Sequence, residues 1–285
     1  MSWIFFIKTE NRVNFKDVYI KLKYDRSVNA IEVSDTLVYF YGPGLSTRGI
    51  DVSLEEYGYE IKITVMSNES DLSLALRIMQ IVSEMTGGKI YDEEDNELIG
   101  PSYLTEEFIK NSFINDMKLI FKVINDTGNT IEFPGPTRSV FIGKKILNEN
   151  INYEKRLKTT AKNIESIFYD VLYRYDNWGI EPSIMAVESN EKDRPIKLKL
   201  VSADDNYLVQ DYDYIIVGDA GERESNDIVL IDQKNLEIIK PKYWSFIDES
   251  TIITEKMPED EWYSFREECR KYNCYNDFQK KTKRK

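Results

Sequence analysis

The chain has 285 residues, 41% hydrophobic and 31% charged, the balance of a folded protein with a buried core. Its 50 acidic and 38 basic residues give a net charge of −12, opposite in sign to the field that draws a protein onto duplex nucleic acid. Histidine is absent, which excludes Ser-His-Asp and Cys-His nucleophiles, HExxH zinc sites and histidine pH switches. Any chemistry falls to carboxylates, lysine, tyrosine or a hard cation held by oxygen.

Three apolar runs open the chain: Trp3–Ile7, Val18–Leu22 and Leu37–Tyr41. In the second, Val18, Ile20 and Leu22 alternate with Tyr19 and Lys21, which predicts a half-buried strand. A glycine- and proline-rich turn, Gly42 to Gly49, leads to the alternating pair Ile50–Leu54 and Tyr59–Val65. A helix is expected over Asn68–Thr86: Ser67 or Asn68 can cap it, Glu69 and Asp71 suit its first turn, and Gly87-Gly88 stops it. After the acidic stretch Asp92–Glu97, the pattern reads as a short helix near Thr105–Phe113. A hairpin of Met117–Val123 and Thr130–Phe133 is expected around the Asn-Asp-Thr-Gly-Asn turn.

A second turn, Pro134 to Ser139, precedes a strand at Val140–Ile142. The longest expected helix, Tyr153–Tyr175, carries a stripe of Leu157, Ala161, Ile164, Phe168, Val171 and Leu172 at helical spacing, which reads as core packing. Strands are then expected at Ile184–Val187, Ile196–Val201, Tyr212–Val217, Ile228–Ile231 and Leu236–Ile239, followed by a helix over Pro258–Tyr272. The fold class is α+β, with mostly antiparallel sheets and three principal helices. The change of character around Asp176–Pro182 divides the chain into a mixed part, residues 1–178, and a strand-rich part, 179–285. The two cysteines, Cys269 and Cys274, fit neither a zinc knuckle nor a redox pair and read as reduced thiols of a cytoplasmic protein. No run is long enough to span a membrane.

The most pointed chemical constellation is Asp51 with Glu60 and Lys62 on the predicted hairpin, where alternation puts Glu60 and Lys62 on one face. Two carboxylates there would hold a magnesium ion and the lysine would position a water. The pattern resembles the D…ExK core of restriction-endonuclease-like nucleases, although strands precede Asp51 where that fold has an acidic helix. The Gly42–Gly49 turn has glycines, hydroxyls and Arg48 that would suit a phosphate, but the GK[ST] ending of a P-loop is missing and an inter-strand turn is expected. Asp219, Glu222, Glu224 and Asp227 lack the ligand spacing of an EF-hand. The two Pro/Gly turns echo each other, each closing on Thr-Arg, Thr47-Arg48 and Thr137-Arg138; they read as two ordinary turns.

The elements YFYGPGLSTRGIDVSLEE and SNESDLSLALRIMQIVSEMTGG resemble a family of bacterial proteins with no assigned function. The resemblance implies a bacterial or phage setting and no catalytic signature. Charge and exclusion favour a non-catalytic, acidic, tyrosine-rich interaction protein of the inhibitor or immunity type, with no cofactor and a basic protein or protein complex as partner. Its expected contact residues are the loop acids Asp92, Glu93, Glu94, Asp95 and Glu97, and Asp219, Glu222, Glu224 and Asp227. Metal-dependent nucleic-acid cleavage through Asp51, Glu60 and Lys62 is the alternative.

Overall fold

The alternating apolar runs of the first half assemble into one sheet. Strands β1 (Ser2–Lys8), β2 (Asn29–Ser34), β3 (Leu37–Tyr41), β4 (Ile50–Glu55), β5 (Gly58–Thr64) and β6 (Lys89–Tyr91) lie in the order β2-β3-β4-β5-β1-β6, antiparallel throughout. Helices α1 (Phe15–Asp25) and α2 (Glu69–Thr86) cover one face of it, burying Val18, Leu22, Leu72, Ala75, Met79 and Val82 against Phe5, Phe40, Val52 and Ile61.

The computed structural model describes residues 2–25, 27–98, 104–150, 153–174, 182–191, 193–218 and 228–282. They fall into two compact units, Met1–Tyr173 and Arg174–Lys285. Of the connector expected at Asp176–Pro182, only Pro182 is among the described residues.

In the first unit, α3 (Glu106–Thr127) leads to the hairpin β7 (Ile131–Pro134) and β8 (Ser139–Ile142), then α4 (Lys144–Glu149) and α5 (Leu157–Tyr169). A 3-10 turn, Tyr153–Lys155, precedes α5, and a π turn, Asp170–Arg174, continues it. Phe113, Phe133 and Phe168 meet edge-on or tilted, with ring centroids 6.3 and 5.8 Å apart, where α3, α5 and the hairpin join.

In the second unit, β9 (Ile184–Val187), β10 (Ile196–Val201), β12 (Tyr214–Val217) and β13 (Val229–Ile231) form a sheet in the order β13-β12-β10-β9. The β10–β12 pair is parallel and the others are antiparallel. A smaller sheet, β11-β15-β14, joins β11 (Tyr207–Val209), β15 (Ile252–Thr254) and β14 (Trp244–Phe246). Helices α6 (Gln233–Ile239), α7 (Glu259–Arg270) and α8 (Tyr275–Lys281) complete the unit. Trp244, Trp262, Phe265 and Cys269 form part of its core, and burial pushes the Cys269 thiol up to about 12. The class is therefore α+β with mostly antiparallel sheets.

Three expected elements change type, each for a local reason. Val18–Leu22 belongs to α1: Val18 and Leu22 sit one helical turn apart and are buried, while Ile20 is 47% exposed on the far side. Asn14 starts that helix, its side chain accepting from Lys16 N at 2.8 Å. Met117–Val123 lies inside α3, which runs on from the expected short helix and is longer than α2, α5 or α7. Phe113, Met117, Ile120, Phe121 and Ile124 share a helical face, and the Asn-Asp-Thr-Gly-Asn segment is its C-terminal cap, with Gly128 left-handed at φ 73. Leu236–Ile239 belongs to α6, capped by Asp232 through Asn235 N at 2.9 Å.

The β4–β5 turn sets how closely β1 can approach. Gly58 has φ +140, and a Cβ there would lie 2.0 Å from the Ile7 carbonyl oxygen. Gly58→Ala is expected to cost at least about 2 kcal/mol, read as a lower urea midpoint at unchanged slope. An unmoved midpoint would contradict the close approach of β1.

Candidate functional site

The Gly42–Gly49 turn and the start of α2 form one buried polar centre. Asn68 caps α2 by accepting from Asp71 N at 3.0 Å, and the Asp71 carboxylate accepts from Asn68 N at 3.2 Å, a reciprocal capping box. The same carboxylate turns into the loop. It accepts from Thr47 N at 3.1 Å, Arg48 N at 2.9 Å and Gly49 N at 3.0 Å, with the Thr47 hydroxyl oxygen 3.0 Å away. Three successive backbone N–H groups converging in this way make an anion nest. The turn is thus built for an anion, and its occupant is Asp71, fully buried. Gly49 is left-handed at φ +67, and a Cβ there would lie 2.8 Å from the Phe40 carbonyl oxygen.

Further groups lock this centre. Thr47 Oγ1 donates to Met66 O at 2.7 Å, and Asp116 of α3 accepts from Met66 N at 2.8 Å. Met66 itself is left-handed at φ 66. Burial raises the Asp116 carboxyl to about 6, against the Met66 hydrogen bond, which lowers it. Tyr173 donates to Ser46 O at 2.7 Å, and Asn68 Nδ2 donates to Leu45 O at 2.8 Å and to Glu165 at 2.9 Å. Arg48 is only 9% exposed; its guanidinium lies 5.5 Å from the Phe133 ring centre, and its Nε and Nη1 make no hydrogen bond among the described residues. Burial pulls that guanidinium below its ordinary value, while Tyr39, Asp71 and Asp51 pull it back.

The opposite face of the six-stranded sheet carries the expected hairpin residues. Asp51 on β4 sits directly across from Lys62 on β5, and Glu60 sits across from Ser53, so Asp51, Glu60 and Lys62 share this face. Burial raises the Asp51 carboxyl, and Lys62 and then Arg48 oppose the rise. The Glu60 carboxylate accepts from Tyr57 OH at 3.3 Å. Among the described residues, no group of three or more acids or cysteines is placed to hold a metal ion. Register puts Ile4, Phe6, Tyr39 and Tyr91 on the same face, each half-buried. On the edge strand β2, Ile31 and Val33 are 42% and 60% exposed.

The acidic loop adjoins that face at β6, and most of its acids have partners within the chain. Asp92 folds the loop on itself, accepting from the Asn96 carboxamide at 3.1 Å, Asn96 N at 2.9 Å and Glu94 N at 3.0 Å, contacts that hold its carboxyl below the usual range. Glu93 accepts from Ile4 N at 2.7 Å, Asp95 pairs with Lys8, and Glu97 pairs with Lys89 at 2.9 Å. Glu94 is exposed and makes no such contact among the described residues. Asp219, Glu222, Glu224 and Asp227 lie outside the described residues. Sequence reasoning reached the cap of α2 but not Asp71 as occupant of the turn, nor Asp116, Tyr173, or Tyr169, whose hydroxyl accepts from Asn68 Nδ2 at 2.8 Å. The Asn68-x-x-Asp71 spacing was the available signal, and it reports the cap only.

A family model described as a domain of unknown function (DUF4299) matches residues 2–176. Neither a curated protein nor a solved structure matches the chain. Among the described residues, no helix is long and apolar enough to cross a membrane.

Asp71→Ala orphans the buried donors of residues 47–49 and is expected to lower stability by about 3 kcal/mol or more, measured by denaturant unfolding. A loss below 1 kcal/mol would show that the turn holds without its carboxylate. Asp116 sets a pH dependence. Its folded value of about 6 exceeds that of an unfolded aspartate, so the burial cost is complete above about pH 6 and is relieved as pH falls toward about 4. Asp116→Asn, which keeps an acceptor for Met66 N, is therefore expected to raise the thermal midpoint at pH 7.5. Its advantage should shrink steadily toward pH 4, and a pH-independent difference would remove Asp116 as the cause.

Proposed function

This chain belongs to the DUF4299 family, and we propose that it acts as a non-catalytic interaction protein that docks a basic protein on the open face of its first sheet. The observation that carries the reading is the composition of that face. Phe6, Tyr39 and Tyr91 lie half-buried there around Asp51 and Glu60, and the loop of Asp92, Glu93, Glu94, Asp95 and Glu97 continues it past β6. Half-buried aromatics give up water readily and supply most of the energy of a contact. Acids around them steer a cation toward it, and the net charge of −12 extends that field over the whole chain. Exposed pairs such as Lys8–Asp95 and Lys89–Glu97 contribute little to stability, so an approaching lysine or arginine can displace their cations.

Inhibitors and immunity proteins of basic enzymes use this physics, and that class, in the cytoplasm of a bacterium or in a phage setting, is the role we assign. The free thiols Cys269 and Cys274 suit a reducing compartment. The acids Asp219, Glu222, Glu224 and Asp227 extend the acidic character of the chain in sequence, outside the described residues.

The reading is tested by capturing the partner from the native host, purifying it and measuring its binding kinetics. Association is expected to slow as salt rises and to slow further in a Glu60→Lys, Glu94→Lys double variant. Phe6→Ala and Tyr91→Ala are each expected to speed dissociation by about tenfold. A partner whose association ignores salt and both charge reversals, and whose dissociation ignores both truncations, binds elsewhere and defeats the proposal.

A further inference from the structure

A groove of about 850 Å³ opens in the first unit where α3 passes α4 and the start of α5. Its floor and wall are apolar. Phe121 of α3 is buried, Leu147 and Leu157 flank it, and Tyr153 stands edge-on to Phe121 with ring centroids 4.9 Å apart and planes at 84°. The volume is that of a small-molecule site.

The polar rim is of a different kind. Lys118 and Lys122 sit one turn apart on α3, an arrangement of like charges that slightly destabilises a helix. Neither makes an ion pair or hydrogen bond among the described residues, in a chain with a net charge of −12. Asn125, on the next turn of α3, and Asn148 of α4 also line the groove, and their carboxamides make no hydrogen bond among the described residues. Glu154 contributes the acid of the lining and pairs with neither lysine.

Each class of lining group limits the ligand. Two adjacent ammonium groups without a carboxylate partner favour an anion with several oxygens, such as a phosphate monoester. Two carboxamides, each both donor and acceptor, favour a body with polar edges and disfavour a plain alkyl chain, which would leave them unpaired. Tyr153 beside Phe121 favours a flat ring that can stack. We infer that this groove binds a nucleoside monophosphate, with the phosphate at Lys118 and Lys122, the base against Tyr153, and its polar edge on Asn125 and Asn148. The groove is separate from the open sheet face, and binding here does not depend on the docking role.

The test is titration calorimetry of the full chain with AMP, GMP, CMP and UMP, alongside ribose 5-phosphate and the matching nucleosides. At least one nucleotide is expected to bind saturably, with affinity falling as salt rises. The matching nucleoside and ribose 5-phosphate should each bind at least about tenfold more weakly. The Lys118→Gln, Lys122→Gln double variant changes exposed side chains only. It is expected to keep the wild-type unfolding midpoint and to lose at least about tenfold in nucleotide affinity. Failure of all four nucleotides to bind, or binding unchanged in the double variant, overturns the inference. A nucleoside that binds as well as its nucleotide overturns it too.

Discussion

The Asp71 carboxylate accepts hydrogen bonds from four residues, Thr47, Arg48, Gly49 and Asn68, and holds the β3–β4 connection against the start of α2. Those N–H groups are buried, and a buried donor without an acceptor costs more than an ordinary hydrogen bond contributes. The carboxylate therefore supports the shape of the loop and ties it to the start of α2. From this point order spreads outward. Thr47 Oγ1 fixes the Met66 carbonyl, Asp116 fixes the Met66 N–H, and α3 is joined to the turn that leads into α2. Two buried carboxylates thus connect the sheet with two helices.

The two Thr-Arg turns meet the same stretch of chain. Tyr169 and Tyr173 reach the first turn, donating to Leu45 O at 3.1 Å and Ser46 O at 2.7 Å. The second turn reaches back: Thr137 Oγ1 donates to Leu172 O at 2.6 Å, and Arg138 reaches Val171 O at 3.5 Å. The accepting carbonyls lie in the π turn Asp170–Arg174, where widened geometry leaves backbone oxygens open to side-chain donors. Burial raises the Tyr169 and Tyr173 phenols, so both remain protonated donors at physiological pH. Similar turns at two places serve one structural need, the fastening of the end of α5.

Charge is arranged differently at the centre and at the surface. At the centre, Asp71 and Asp116 are held by backbone donors, and Arg48 lies against the Phe133 ring with two nitrogens that find no acceptor among the described residues. At the surface, the acids of Asp92–Glu97 use exposed lysines and their own backbone, contacts that water and salt weaken. The first kind of contact fixes the fold. The second leaves the acidic edge of the sheet electrostatically available.

Local pattern was enough wherever one element makes its own case. Asn68, Asp71 and Gly87 delimit α2, Pro258 with three acids starts α7, and strict alternation gives β4 and β5, because caps, dipoles and pleats act over a few residues. Spacing alone also put Glu60 and Lys62 on one face, and the register of β4 with β5 added Asp51 to it. Val18–Leu22 and Met117–Val123 misled because residues four apart satisfy both a period of two and a helical turn, and only packing against α2 or α5 chooses between them. The occupant of the Gly42–Gly49 turn, the hold of Asp116 on Met66 and the pairing of Lys8 with Asp95 join residues separated by 22 to 87 positions. The sequence by itself determined the class of fold, the chemistry excluded by the lack of histidine and the ends of the self-capped helices. Which anion fills the nest, and which acids remain free at the surface, was decided by the tertiary structure, since hydrogen bonds at such separations exist only once the chain has folded.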